Sequence, residues 1–329
     1  MLFNKMIEAV DTHTSGAPTR IIYNPVTPCL ANMAQTLAYW KNNHDWIRKS
    51  LMFEPRGYSE MTGTAITQSI SKEACCGLIF FDGHGYMDMC GHAVVGVATA
   101  ISELNIVMHE GNEFAFDTVA GLVKTEVKTN GYKVEEAIIE NVPSYKIGEV
   151  SFELEEEKID AKIAYAGNIF AILESNQFSY PLEPDYAEKW SKLGILIRKK
   201  LNSIESVLKM TDGKGVSMVE FSGPPKQKTA DYKNIVMFGN GQIDREPCAT
   251  GTCAKMACMY AEGKTNIGDV IVQESILDTY ARATLLESVD TPKGEAIIVR
   301  VSYSVFITGI HKYFFNDKDP LCYGYTLGR

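Results

Sequence analysis

"CGHAVVGVATA" at residues 90–100 and "PCATGTCAKMA" at residues 247–257 decide how this chain is read. Each sets a cysteine among small residues at the head of an apolar, helix-forming run. Strand-like runs precede both: "GLIFF" from Gly77 before the first, "VSMVEF" and "NIVMFG" before the second. The first helix is predicted from Gly91 to about Leu104, with Val95, Ala98 and Leu104 sharing a face. The order strand, Gly-rich turn, cysteine, helix therefore occurs twice, with Cys248 close to half a chain beyond Cys90. The simplest account is an α+β protein of two similar α/β lobes, each contributing one cysteine from a helix start.

Working outward, "NG" at Asn130-Gly131 is a hairpin turn signal between two alternating segments. The lobe boundary is placed near it, giving a first lobe of 1–128 plus 299–329 that carries Cys90 and a second of 129–298 that carries Cys248. "YAEKWSKLGILIRKKLNSI" has helical spacing at Trp190, Leu193, Leu196 and Ile197. The tail "EAIIVRVSYSVFITGIHKYFF" reads as one or two long strands that return to complete the first lobe's sheet.

At 329 residues, 45% hydrophobic and 22% charged, the chain has enough apolar material for two packed lobes. Its net charge of -9 and scattered lysines and arginines argue against nucleic acid or anionic lipid as partners. No run approaches the roughly 18 apolar residues of a membrane span, and the first residues lack the order of a signal peptide, so a cytoplasmic protein is expected. Eight cysteines are too sparse for a disulfide scaffold. Cys29, Cys75, Cys76, Cys258 and Cys322 are read as packing residues.

A helix N-terminus presents unpaired N–H groups and the positive end of the dipole, which binds anions and favours thiolate. Gly91 in the first motif, and Ala249, Thr250, Gly251 and Thr252 in the second, offer small side chains and open amides. Two such starts on one ligand would hold a carboxylate while a thiol faced each side of the neighbouring carbon. That arrangement suits removal of a proton from one face and its delivery to the other, with no metal and no organic cofactor. Asp244 and His92, each a few residues from a cysteine, are candidates to hold an ammonium or imino group. A zinc reading of "PCATGTC" fails on spacing, since Cys248 and Cys253 are five positions apart and no H-x-E accompanies them.

These residues resemble the proline racemase family, which includes proline racemases, hydroxyproline 2-epimerases and trans-3-hydroxyproline dehydratases. "DTHTSGAPTR" from Asp11, "EPRG" from Glu54, "MCGH" from Met89, "DREPCATGT" from Asp244 and the tail "ITGIHKYFFNDKDPLCYGY" carry the resemblance nearly end to end. It implies the two-lobed diaminopimelate epimerase-like fold with the active site between the lobes, Cys90 and Cys248 as paired acid and base, and no cofactor. It also implies that the backbone around Gly91, His92, Ala249 and Thr250 holds the carboxylate, while His92 and Asp244 hold the ring nitrogen. The dehydratase branch typically has threonine for the first cysteine, so Cys90 favours racemisation or epimerisation. Glu246 and Ala249 depart from the usual serine and glycine.

By the same resemblance Thr62, Met218 and Phe238 line the ring pocket. Proline racemases typically carry phenylalanine, cysteine and phenylalanine there, so Phe238 alone matches, and neither epimerase residue is present. Proline is therefore the expected substrate, with 4-hydroxyproline 2-epimerisation or 3-hydroxyproline epimerisation or dehydration as the alternative. A non-catalytic amino-acid binding protein of the same fold is the rival, and pairing into a homodimer stays open. Fold alone cannot separate binder from enzyme.

Overall fold

The computed structural model describes residues 5–58 and 60–327. Chain order runs β1 (Lys5–Thr14), β2 (Ala17–Thr27), α1 (Met33–Asn43), α2 (Asp45–Met52), β3 (Thr62–Thr67), β4 (Cys76–Asp82), β5 (Tyr86–Met87), α3 (Gly91–Leu104), β6 (Glu113–Thr118), β7 (Gly121–Asn130) and β8 (Lys133–Glu140). It continues with β9 (Tyr145–Leu154), β10 (Glu157–Tyr165), β11 (Ile169–Glu174), α4 (Ala187–Leu201), α5 (Glu205–Met210), β12 (Met218–Gly223), β13 (Tyr232–Phe238), β14 (Gln242–Ile243) and α6 (Ala249–Ala261). The last strands are β15 (Val270–Glu274), β16 (Tyr280–Thr291), β17 (Gly294–Tyr303) and β18 (Val305–Phe315). Two units result: one runs to Ile139 and resumes at Ser304, the other is Glu140–Tyr303. Positions 128 and 298 fall inside β7 and β17.

Within the first unit β18 pairs antiparallel with β1, β1 antiparallel with β2, β2 parallel with β3, β3 antiparallel with β4, and β4 parallel with β6. The second unit repeats this sequence of senses: β9 antiparallel with β10, β10 with β11, β11 parallel with β12, β12 antiparallel with β13, and β13 parallel with β15. A two-residue strand follows in each, β5 on β4 and β14 on β13, and then a helix, α3 or α6. The paired helices α1–α2 and α4–α5 fill the same parallel crossover in both. The two similar units expected from the repeated cysteine motif are thus one topology used twice.

Both motif helices are buried on every side over their first turns, because strands pack around them. Every residue of α3 from Gly91 to Ile101 and of α6 from Ala249 to Cys258 is buried. Close approach demands small residues: a Cβ on Gly96 would lie 2.8 Å from Thr12 Oγ1 on β1. The core of the first unit gathers Trp40, Ile47, Leu51, Phe81 and Phe315, with Trp40 and Phe81 stacked at 6.0 Å. That of the second gathers Trp190, Ile197, Leu201, Phe221 and Ile235, with Trp190 and Phe221 rings 4.5 Å apart. Burying one such ring or aliphatic chain contributes about 1.5–3 kcal/mol.

The chain turns at Gly131, whose φ of 63° a side-chain-bearing residue rarely adopts. The tail forms two strands, broken at Ser304, and β18 completes the first unit's sheet against β1 from Lys5↔Phe315 onward. On α4 the buried face is Trp190, Gly194, Ile197 and Leu201, while Leu196 is exposed. The expected face was one residue too wide, because Gly194 is the contact that lets α4 approach Met237. Of the cysteines read as packing residues, Cys76, Cys258 and Cys322 are buried and Cys29 and Cys75 half-buried. Among the described residues no helix is long and apolar enough to cross a membrane.

Candidate active site

Cys90 is the N-cap of α3, with extended backbone at φ -147° and ψ 103°. Its sulfur makes no capping bond; it sits 3.6 Å from both Nδ1 and Nε2 of His92, facing the imidazole. The Cys90 carbonyl accepts from Val94 N–H at 3.1 Å and starts the helix. His92 is held at its carbonyl by the Thr14 hydroxyl, which donates at 3.0 Å from β1. Gly91 and His92 are buried in the first turn, where amides have no intrahelical acceptor. Thr62, the first residue of β3, is buried and pairs across the sheet with Asp82 at the end of β4.

Cys248 caps α6 differently. Its Sγ accepts from Gly251 N–H at 3.4 Å and lies 3.7 Å from Thr250 Oγ1, so the sulfur takes the place of a capping oxygen. Asp244, Glu246, Ala249 and Thr250 are all buried around it. Asp244 N–H donates to Val236 O at 2.9 Å, tying the approach to α6 onto β13. Tyr303 on β17 donates to Pro247 O at 2.6 Å, fixing the same segment from the other side.

Burial drives the Cys248 thiol well above its ordinary pKa; the Asp244 and Glu246 carboxylates and a hydrogen bond to Asp244 push the same way, against the Gly251 N–H. These surroundings favour the thiol over the thiolate. Glu246, seen in the sequence only as a departure from serine, is one source of that bias.

Met218 opens β12 and Phe238 closes β13, next to the paired Val219 and Met237; both are buried. The second unit thus brings Asp244, Cys248, Ala249 and Thr250 together at the start of α6, while the first brings Cys90, Gly91 and His92 together at the start of α3. Thr62 and Met218 hold matching places, each heading the strand that enters the sheet after the paired helices. Thr14 and Tyr303 were missed by sequence reasoning, since a strand threonine and a strand tyrosine carry no local signal of what they will bond.

The proline racemase family profile matches residues 9–326. The proline racemase of Acetoanaerobium sticklandii is 38% identical over 336 residues, covering 99% of this chain and 100% of that one. The proline racemase of Clostridioides difficile is 34% identical over 343 residues, with 99% and 100% covered. A solved hydroxyproline epimerase from Agrobacterium vitis, with bound trans-4-hydroxy-L-proline, superposes with a TM-score of 0.90 at 24% identity, covering 99% of this chain and 96% of that one. That last likeness is one of fold.

Proposed function

This chain belongs to the proline racemase family and is an amino-acid racemase or epimerase, and we propose that it inverts the Cα of free proline by proton exchange between the thiols of Cys90 and Cys248. The observation that carries the reading is the capping of α3 and α6, matching helices of a repeated topology, by one cysteine each.

In this mechanism the amides at the starts of α3 and α6 hold the substrate carboxylate and spread the charge that develops when Cα loses its proton. One cysteine acts as thiolate, forms S–H as the Cα–H bond breaks, and leaves a planar carbanion. The other, a thiol, gives its proton to the opposite face and becomes thiolate. Nothing is oxidised or reduced, and the free enzyme ends with the proton on the other sulfur. The protonated bias of Cys248 supports its role as the donor in the resting form. His92 and Asp244 hold the ring nitrogen. No cofactor and no metal take part, and the site works in the cytoplasm on a small free imino acid.

Phe238 offers an apolar wall to an unsubstituted ring, which supports proline. Thr62 favours the second reading, epimerisation of a hydroxylated proline, because its hydroxyl at a pocket position can bond a ring hydroxyl. The deciding measurement compares kcat/KM for L-proline, D-proline, trans-4-hydroxy-L-proline and trans-3-hydroxy-L-proline by polarimetry or chiral chromatography. Proline should lead in both directions. A preference for a hydroxylated ring overturns the substrate while keeping the two-thiol chemistry; turnover of none of the four overturns the assignment to this substrate class.

A further inference from the structure

Beneath the first turns of α6 lies a buried polar cluster that the proposed reaction does not use. Glu220 on β12 is fully buried. Its Oε1 accepts from Asn234 Nδ2 on β13 at 3.3 Å, and its Oε2 has no hydrogen-bond partner. Lys255, one turn beyond Gly251 on α6, is also buried; it donates to the Ser222 hydroxyl, and its ammonium lies 3.5 Å from the Tyr232 ring centre. The other titratable groups interacting with this pair are Glu174 on β11, Cys253 and Cys258 on α6 and Lys162 on β10. A carboxyl with one orphaned oxygen costs stability that an apolar residue at the same strand position would not.

The geometry joins this carboxyl to Cys248. A Cβ built on Gly251 would lie 2.5 Å from Glu220 Oε2 and 3.3 Å from Cys248 Cβ, so the carboxylate abuts the very residue whose N–H donates to Cys248 Sγ. Any larger residue at 251 would collide with it.

We propose that Glu220 is a positioning residue for Cys248: it seats Gly251 beneath the sulfur, and its charge, balanced by Lys255, sets how readily the thiol gives up its proton. The inference rests on the reading of Cys248 as a working thiol. A negative charge behind the helix start opposes thiolate, and a neutral carboxyl does not. Burial pushes Glu220 up to about 7 against the pull of Lys255 and Asn234, and burial holds Lys255 down at about 8. As pH rises through neutrality Glu220 ionises, and Cys248 becomes harder to deprotonate than a single titration predicts.

The test follows alkylation of Cys248 by iodoacetamide in intact wild-type protein and in Glu220→Gln, scored by peptide mass spectrometry apart from Cys90, from pH about 6 to about 10. In wild type the rate should climb with a break near 7 where Glu220 ionises and a second, higher one from Lys255. In Glu220→Gln only the Lys255 break should remain, moved to lower pH because Glu220 no longer favours that ammonium. Glu220→Gln should lose the first break and react about three- to tenfold faster above it. The kcat/KM profile should lose the same break with KM little changed. Superimposable alkylation profiles overturn the proposal. So does a wild-type profile without the break, which decides the matter even if the variant fails to fold. Alkylation needs no turnover, so a chain that inverts no imino acid still answers this question.

Discussion

Cys90 and Cys248 occupy matching places with different surroundings. One sulfur faces an imidazole, while the other caps its helix beside two carboxylates. Serine at position 248 can still accept from Gly251 N–H as an N-cap, so Cys248→Ser should melt within about 1 kcal/mol of wild type. Yet a serine hydroxyl is too weak an acid and base for the exchange, and Cys90→Ser and Cys248→Ser should each lower racemisation by a factor of about 10²–10⁴. Calorimetry should find substrate binding retained in both. A serine variant that inverted proline near the wild-type rate would remove the two-thiol assignment.

At the scale of elements, "DTHTSGAPTR" and "EPRG" turn out to be a staple. Arg20 on β2 donates from Nε and Nη2 to the two Asp11 oxygens on β1 at 2.9 and 2.7 Å, and from Nη1 to the carbonyls of Leu51 and Arg56. Its guanidinium lies 4.8 Å from the Tyr313 ring on β18, and Arg56 reaches on to Cys322 O at 3.0 Å. One buried cation thereby locks β1, β2, the end of α2 and the turn after it. Arg20→Met keeps the volume but leaves Asp11 and two carbonyls short of a donor, and should cost about 3–5 kcal/mol in urea unfolding. Arg20→Lys should recover only part, because an ammonium cannot serve the forked carboxylate and two carbonyls together. A loss below about 1 kcal/mol for Arg20→Met would mean that packing alone holds this corner.

For the whole molecule, perturbed carboxyls make stability depend on pH in opposite senses, with Asp45 of the first unit and Glu262 and Asp278 of the second on one side and Glu220 of the second on the other. In the first, burial raises the Asp45 carboxyl but hydrogen bonds from Arg48, Tyr86 and Lys49 win, holding it far below the usual range. Its stabilisation is present above the unfolded pKa and is lost as pH falls through the folded one. In the second, Glu220 is raised to about 7, so the folded state holds its proton more tightly than the unfolded chain. That stabilisation is complete below about 4.5 and is lost as pH rises to about 7, on the order of 3 kcal/mol. Melting curves of wild type between pH about 5 and about 7 should show the second unit weakening, and Glu220→Gln should abolish the slope. A wild-type midpoint flat across that window would contradict the assignment.

The sequence by itself determined the helix starts at Gly91 and Ala249, the turn at Gly131 and the repeated order of elements around two cysteines. These are local matters: small residues, glycine's tolerance of positive φ and the change from strand to helix period act over a few neighbours. It also suggested which residues surround the cysteines, because His92, Asp244, Ala249 and Thr250 lie within four positions of them. Tertiary structure alone decided that β1 is the strand on which β18 pairs, that Leu196 faces water, that Arg20 is a staple, and that Glu220 and Lys255 are buried within electrostatic reach of each other beneath α6. Each of these depends on which distant strand lies alongside, and burial turns an ordinary strand glutamate into a charge that must find its partner inside the protein, where water no longer screens it.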